Sequence, residues 1–213
     1  MYVFNRSGRL TGANEREAMP WAVAIGEKVA QVTGLQVSLY SRVFSAEVGT
    51  LVWATTAPDL ATLEAAFDKL MPDDGYQEMA QTGLKYMDPS SFHDRLEQVV
   101  HPADLDTDRQ HEYVSLVRST INGGQLARGV AAGVEIAQLF EQITGIPAVF
   151  MVQETGNFGE VSWAVTYADI RELQRSGEAT NADPRFVGLL DSLAGVYTDT
   201  PGASTQVIMR RVA

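Results

Sequence analysis

The chain has 213 residues, 45% of them hydrophobic, with a formal net charge of −11 and no cysteine. That length and apolar content suffice for a sizeable core in one large or two small domains. Disulfides, thiolate metal sites and cysteine nucleophiles are excluded, and an acidic chain without a basic stripe is a poor partner for nucleic acid or an anionic membrane.

The first apolar stretch, at residues 1–6, is too short for a secretory signal, and no apolar run reaches the ~18 residues of a membrane span. A cytoplasmic protein is the expectation. Residues 2–6 read as a strand and residues 14–33 as a helix, with Asn14 as its cap and Trp21, Ile25, Val29 and Val32 as its apolar stripe. Gly34 stops it. Residues 36–44 and 50–56 alternate as a hairpin. Pro58 and Asp59 open a second helix. It breaks at residues 71–75 and resumes to about Met87, and residues 93–101 form a closing strand. Residues 102–110 are a polar, acidic linker.

The same order then recurs: strand 113–120, helix 124–144, hairpin 147–154 and 160–167, a helix over 169–195 interrupted near 177–184, and strand 205–212. The repetition is visible in the residues. Val23, Ile25, Gln31, Thr33 and Gly34 reappear 111 residues later as Val134, Ile136, Gln142, Thr144 and Gly145. Trp53, with Asp59 and Leu60 beyond it, reappears 110 residues later as Trp163, with Asp169 and Ile170 beyond it. The expected domains are therefore a first repeat at 1–101, the linker, and a second repeat at 111–213. Each reads βαββαβ, the split βαβ or ferredoxin-like unit. Its sheet has helices on one face only, and two such sheets in one chain can bury their open faces on each other.

This element order, the duplication and the Trp-to-Asp passage leaving the third strand resemble the dimeric α+β-barrel superfamily. That superfamily includes antibiotic-biosynthesis monooxygenases, NIPSNAP-like proteins and stress-responsive barrel proteins. The resemblance implies an α+β fold in which two ferredoxin-like repeats pack antiparallel sheets face to face as an intramolecular barrel. It further implies a ligand site between sheet and helices or inside the barrel. Haem-degrading members use an Asn on the first strand, a Trp on the third and a His on the second helix. Asn5 and Trp53 fit, but Leu63 stands at the histidine position, and Leu173 does so in the second half. Without an axial imidazole no iron ligand is evident, so no cofactor is expected.

Ser38, Tyr40 and Arg42 share one face of the second strand. A Tyr–Arg pair suits an anionic or phenolic ligand, because guanidinium makes paired hydrogen bonds to carboxylates. Tyr40, Arg42 and Asn5 are the candidate catalytic residues: proton donor or acceptor, anion holder and hydrogen bonder. Ser38, Trp53, Trp163 and Met151 are candidate ligand contacts. Each also has an ordinary packing role open to it, and Trp53 and Trp163, kept in both halves, suit core anchors. His93 and His101 share a face if the strand alternates without a break, but lie too far apart for one metal ion. His101, His111 and Asp104, Asp106 or Asp108 could at most form a chance surface site, so no metal is expected.

Two functions fit these residues. One is small-molecule binding, extending to a cofactor-independent monooxygenase, cyclase or isomerase acting on an aromatic or polyketide-like metabolite. The other is a non-catalytic structural or protein-interaction module. A homodimer in addition to the internal pseudo-dimer is compatible with either. Asn5, Ser38, Tyr40 and Arg42 are not repeated in the second half, so a single site belongs to the first.

Overall fold

The computed structural model describes residues 1–12, 15–45, 47–102, 111–200, 202 and 204–213. The expected cap Asn14, most of the expected linker and Asp104, Asp106 and Asp108 lie outside them. The first repeat runs β1 (Tyr2–Arg9), α1 (Glu15–Thr33), β2 (Ser38–Val43), β3 (Thr50–Ala57), α2 (Leu60–Leu70), α3 (Asp74–Gly83) and β4 (His93–His101). The second runs β5 (Tyr113–Thr120), α4 (Leu126–Thr144), β6 (Ala148–Gln153), β7 (Glu160–Tyr167), α5 (Ile170–Ala182), α6 (Pro184–Ser192) and β8 (Thr205–Arg211). The strands hydrogen-bond in the order β1-β3-β2-β8-β5-β7-β6-β4 as a closed barrel, with β1–β3, β2–β3, β4–β6, β5–β7 and β6–β7 antiparallel. The α+β barrel of two ferredoxin-like repeats is therefore the fold.

By packing, the chain divides into Met1–Leu96 with Arg210–Ala213, and Glu97–Met209. This differs from a division by repeat, because β4 and β8 each begin in one unit and end in the other. No described helix is long and apolar enough to cross a membrane.

The features written twice all have structural work. Thr33 Oγ1 donates to the Val29 carbonyl (2.8 Å) and accepts from the Leu35 amide (3.1 Å); Thr144 does the same with Phe140 (2.8 Å) and Ile146 (3.1 Å). Gly34 and Gly145 follow at φ 81° and 73°, a left-handed turn that glycine adopts without strain. Asp59 and Asp169 cap α2 and α5 by accepting the Thr62 and Glu172 amides.

Several boundaries move. β1 extends to Arg9, and α3 ends at Gly83 rather than near Met87, which instead bridges to Leu10. The second-repeat helix continues through Gly177 and breaks only at Asp183, which caps α6 by accepting the Arg185 amide. A glycine within a helix is tolerated at a modest cost, whereas Pro184 removes a donor and forces a new first turn. A bulge between Val99 and His101 interrupts the alternation on which a shared face for His93 and His101 depended.

Five capping aspartates have carboxyls held below the usual range. Asp59 is lowered by the Thr62 hydroxyl and amide, Asp73 by Lys28 and the Tyr76 amide, and Asp88 by Ser90. Asp169 is lowered by the Glu172 amide and Asp183 by Arg185. A depressed folded-state pKa contributes stability that is present above the unfolded value, about 3.9 for Asp, and lost as pH falls through the folded one. Thermal unfolding at pH 5 and pH 3 is expected to show a large drop, smaller in the Asp183→Ser variant, whose cap does not titrate. An equal drop in both would refute the assignment for Asp183.

Candidate ligand pocket in the first repeat

The first repeat leaves a cavity of about 470 Å³ between its sheet and helices α1, α2 and α3. Its walls are aromatic. Trp21 and Trp53 meet edge to face with ring centres 5.9 Å apart, and Phe4 and Phe67 do so at 5.4 Å. Both indole N–H groups are used internally: Trp53 Nε1 donates to the Ala22 carbonyl and Trp21 Nε1 to that of Met79, each at 2.8 Å. These tryptophans therefore present apolar surface to a ligand, not hydrogen bonds.

The polar end is Arg6 and Asp94. Arg6 donates from Nε to Asp94 Oδ1 and from Nη2 to Oδ2, both at 2.7 Å. The fork geometry is the strong one for guanidinium and carboxylate. Asp94 holds the Arg6 pKa above its ordinary value, and Tyr76, which also lines the cavity, adds to this. The pair is partly exposed, with 38% and 46% of the side-chain surfaces accessible, so it can share its outer hydrogen-bonding capacity.

The second repeat has the same scaffold with bulkier side chains beside the tryptophan. Trp163 Nε1 donates to the Gly133 carbonyl (2.9 Å), as Trp53 does to Ala22. Phe150, fully buried, packs on Trp163 with ring centres 5.3 Å apart. Phe140 packs against the same cluster where the first repeat has Val29. Val117 faces Trp163 where Arg6 faces Trp53. Tyr197 donates to the Gly129 carbonyl (2.6 Å), and burial pushes its phenol well up. Bulk also changes sides. In the first repeat Trp21 lies against Gly83, where an added Cβ would come within 2.2 Å of the indole; in the second, Ala132 packs with Leu193.

The fold has known counterparts. The chain aligns over 100% of its length with 92% of a provisionally assigned monooxygenase of Fusobacterium nucleatum, at TM-score 0.75 and 7% identity. It matches 91% of an anthrone oxidase-like protein over 100% of its own length, at TM-score 0.66 and 10% identity. It also matches 93% of a provisionally assigned monooxygenase of Lactobacillus acidophilus over 99% of its length, at TM-score 0.66 and 10% identity. This is the tandem α+β-barrel fold. No family model matches the sequence, and no curated protein does. At these identities, what the α+β-barrel structures share with this chain is the fold.

Haem is brought into question by the superfamily resemblance, and the imidazole that resemblance calls for is missing from the described lining of this pocket. Leu63 is buried at the position where that resemblance places an axial histidine. The described lining contains no histidine, cysteine or methionine, and Tyr76 is its one side chain of a kind that ligates haem iron.

The expected site residues fall on two faces of the barrel sheet. Paired strand residues share a face, and successive ones alternate. Arg6, Trp53 and Leu39 are in register on the helix side. Asn5, Ala54 and Ser38 are in register on the opposite side, followed there by Ser7, Val52 and Tyr40. Arg42 follows Tyr40 by two residues on that side. The structure thus places Asn5, Ser38, Tyr40 and Arg42 on one face of the sheet, opposite the Trp53 pocket. Asn5 and Tyr40 are buried. Burial raises the Tyr40 phenol, with Ser38 and Arg211 pulling it partly back. A neutral phenol of this kind is a hydrogen-bond donor rather than a base at neutral pH. In the second repeat Leu116 is the counterpart of Asn5, and Met151 lies opposite Ser162, whose hydroxyl donates to the buried Glu97 (2.6 Å).

Sequence reasoning missed Arg6, Asp94, Trp21 and Phe67. One signal was available: Val117 replaces Arg6 in the second repeat. That substitution is as strong an asymmetry as the loss of Asn5.

Proposed function

We propose that the chain is a small-molecule-binding α+β-barrel protein whose ligand is a planar, largely apolar aromatic compound bearing an oxygen substituent. The observation that carries this is the asymmetry between the repeats. One leaves about 470 Å³ beside its repeated tryptophan, and the other fills the corresponding region with Phe140 and Phe150. An unfilled apolar space costs stability. A duplication serving only as scaffold has no reason to keep one copy hollow. The volume lies within the roughly 300–1,000 Å³ of ligand sites, which are mostly apolar with a few placed polar groups. Trp21, Trp53, Phe4 and Phe67 supply ring faces, and Arg6 with Asp94 supplies a donor and an acceptor.

The shared fold with proteins named for monooxygenase and anthrone oxidase chemistry supports a finer reading. In it the chain is a cofactor-independent monooxygenase, cyclase or isomerase acting on an aromatic or polyketide-like metabolite. Trp53 is the member of the expected site set that would touch this ligand.

Calorimetric titration with 1-naphthol and with naphthalene tests the reading. The hydroxylated compound is expected to bind about tenfold more tightly, one charge-assisted hydrogen bond's worth, and Arg6→Met is expected to erase the difference. If neither these nor any of a panel of hydroxylated aromatics binds or raises the melting temperature, the reading fails.

A further inference from the structure

A second recess of about 260 Å³ lies in the first repeat where β1 ends and β2 turns into β3. Its chemistry is the opposite of the aromatic pocket's. Ser7, Arg9, Arg42, Glu47, Thr50 and His93 line it, with Asp88 and its two neighbouring serines.

The Arg42 side chain is only 14% exposed, and its guanidinium reaches Glu47 through Nη1. Its Nε is shielded from solvent and has no hydrogen-bond partner among the described residues. A buried donor left unsatisfied is costly, and such a group in a native fold calls for an explanation. Burial lowers the Arg42 pKa, and the positive charge of Arg95 lowers it further. Two like charges so placed favour an anion beside them.

Glu47 is a poor permanent partner. Its side chain is 61% exposed, and an ion pair ending on so exposed a carboxylate is weak. The turn that carries it is also held in tension. Phe44 adopts φ 51°, a left-handed conformation disfavoured for a bulky side chain, and is 83% exposed; Val48 is 71% exposed. With Glu47 in place, Arg9 and Arg42 are balanced by Glu47 and Asp88. Asp88 is itself committed: it accepts from Arg9 (3.2 Å) and from the Ser90 hydroxyl (2.7 Å). With Glu47 displaced, the recess carries net positive charge.

We propose that this recess is an anion-binding site for a carboxylate or phosphate group, with Arg42 as its principal ligand and the Glu47 carboxylate as an internal latch that the incoming anion displaces. An external oxyanion can engage Nε and Nη2 together, the side-on fork that Arg6 presents to Asp94, and its charge competes with that of Glu47 on Nη1. Ser7 and Thr50 hydroxyls and exposed His93 stand around the same space to complete its coordination. The site is independent of the aromatic pocket, because Arg42 and Trp53 lie on opposite faces of the sheet.

The test is titration of the whole chain with inorganic phosphate and with acetate against chloride at matched ionic strength. Removing the competing carboxylate with Glu47→Gln is expected to tighten both oxyanions about fivefold, the range a surface ion pair allows. Arg42→Lys keeps the charge and loses the fork, so it is expected to weaken acetate about tenfold. Relative tightening for phosphate and acetate reports which oxyanion the site prefers. Backbone amide resonances of Ser7 and Glu47 in the wild-type chain should shift with phosphate, a measurement that needs no Arg42 variant to fold. No tightening in Glu47→Gln overturns the latch. Unshifted Ser7 and Glu47 resonances, or an Arg42→Lys protein that binds acetate like wild type, overturn the site.

Discussion

Gly133→Ala is expected to destabilise the protein by about 1–3 kcal/mol, the cost of overpacking a filled core. The opposing effect is real: alanine in a helix interior gains roughly 1 kcal/mol over glycine. Geometry decides between them. An added Cβ at Gly133 would lie 2.2 Å from the Phe150 ring, and Phe150 is fully buried, so the ring has nowhere to swing. The first repeat shows the compatible alternative, with Ala22 on the helix and Leu39 on the strand at the same two places. Phe150→Leu should therefore rescue Gly133→Ala. Alone it leaves a void and costs on the order of 1–2 kcal/mol, yet the double variant should be more stable than the two single costs predict. Urea denaturation of the four proteins gives the coupling directly. A Gly133→Ala protein as stable as wild type would mean that the two repeats do not pack as duplicates.

Val29→Phe is expected to abolish aromatic ligand binding while leaving the fold intact. Val29 lines the pocket in the first repeat, and Phe140 occupies its place in the second, packed against the core there. The substitution imports the second repeat's own solution into the first. Filling a cavity commonly stabilises, so the unliganded melting temperature should hold or rise. The 1-naphthol affinity should fall by more than about tenfold, because the ring takes the volume the ligand needs. A variant that melts normally and binds 1-naphthol like wild type would show that the ligand sits elsewhere. Loss of binding without loss of stability separates a pocket from a packing defect, which substitution of Trp53 cannot do, since Trp53 also ties β3 to α1 through Ala22.

What could be read in the residues was of two kinds. Trp53 and Trp163, Thr33-Gly34 and Thr144-Gly145, and Asp59 and Asp169 marked the scaffold, and each pair makes the same local hydrogen bonds in both repeats. These interactions span a few residues or one strand–helix contact, so spacing reveals them. The helix limits at Gly83 and Asp183 were less legible. The first depends on Trp21 packing over Gly83, which periodicity does not give; the second is marked by Pro184, but Asp183 as its cap shows only in the contact with the Arg185 amide. Arg6 and Asp94 were not legible as a pair at all. They lie 88 residues apart, and only the meeting of their strands makes them neighbours.

By itself, the sequence determined the duplicated βαββαβ order, and it pointed to the first repeat as the place for a single site. Alternation along a strand says which residues share a face, and comparison of copies says which residues are not needed twice. Only the tertiary structure decided which face is hollow. Whether space remains beside Trp53 depends on how Val29, Leu39, Gly83 and Phe67 fill volume together. That is a property of packing in three dimensions and is not carried by any one residue's type or spacing. The structure consequently placed the aromatic pocket on the helix face with Arg6 and Asp94, and left Arg42 to a separate polar recess beside Glu47.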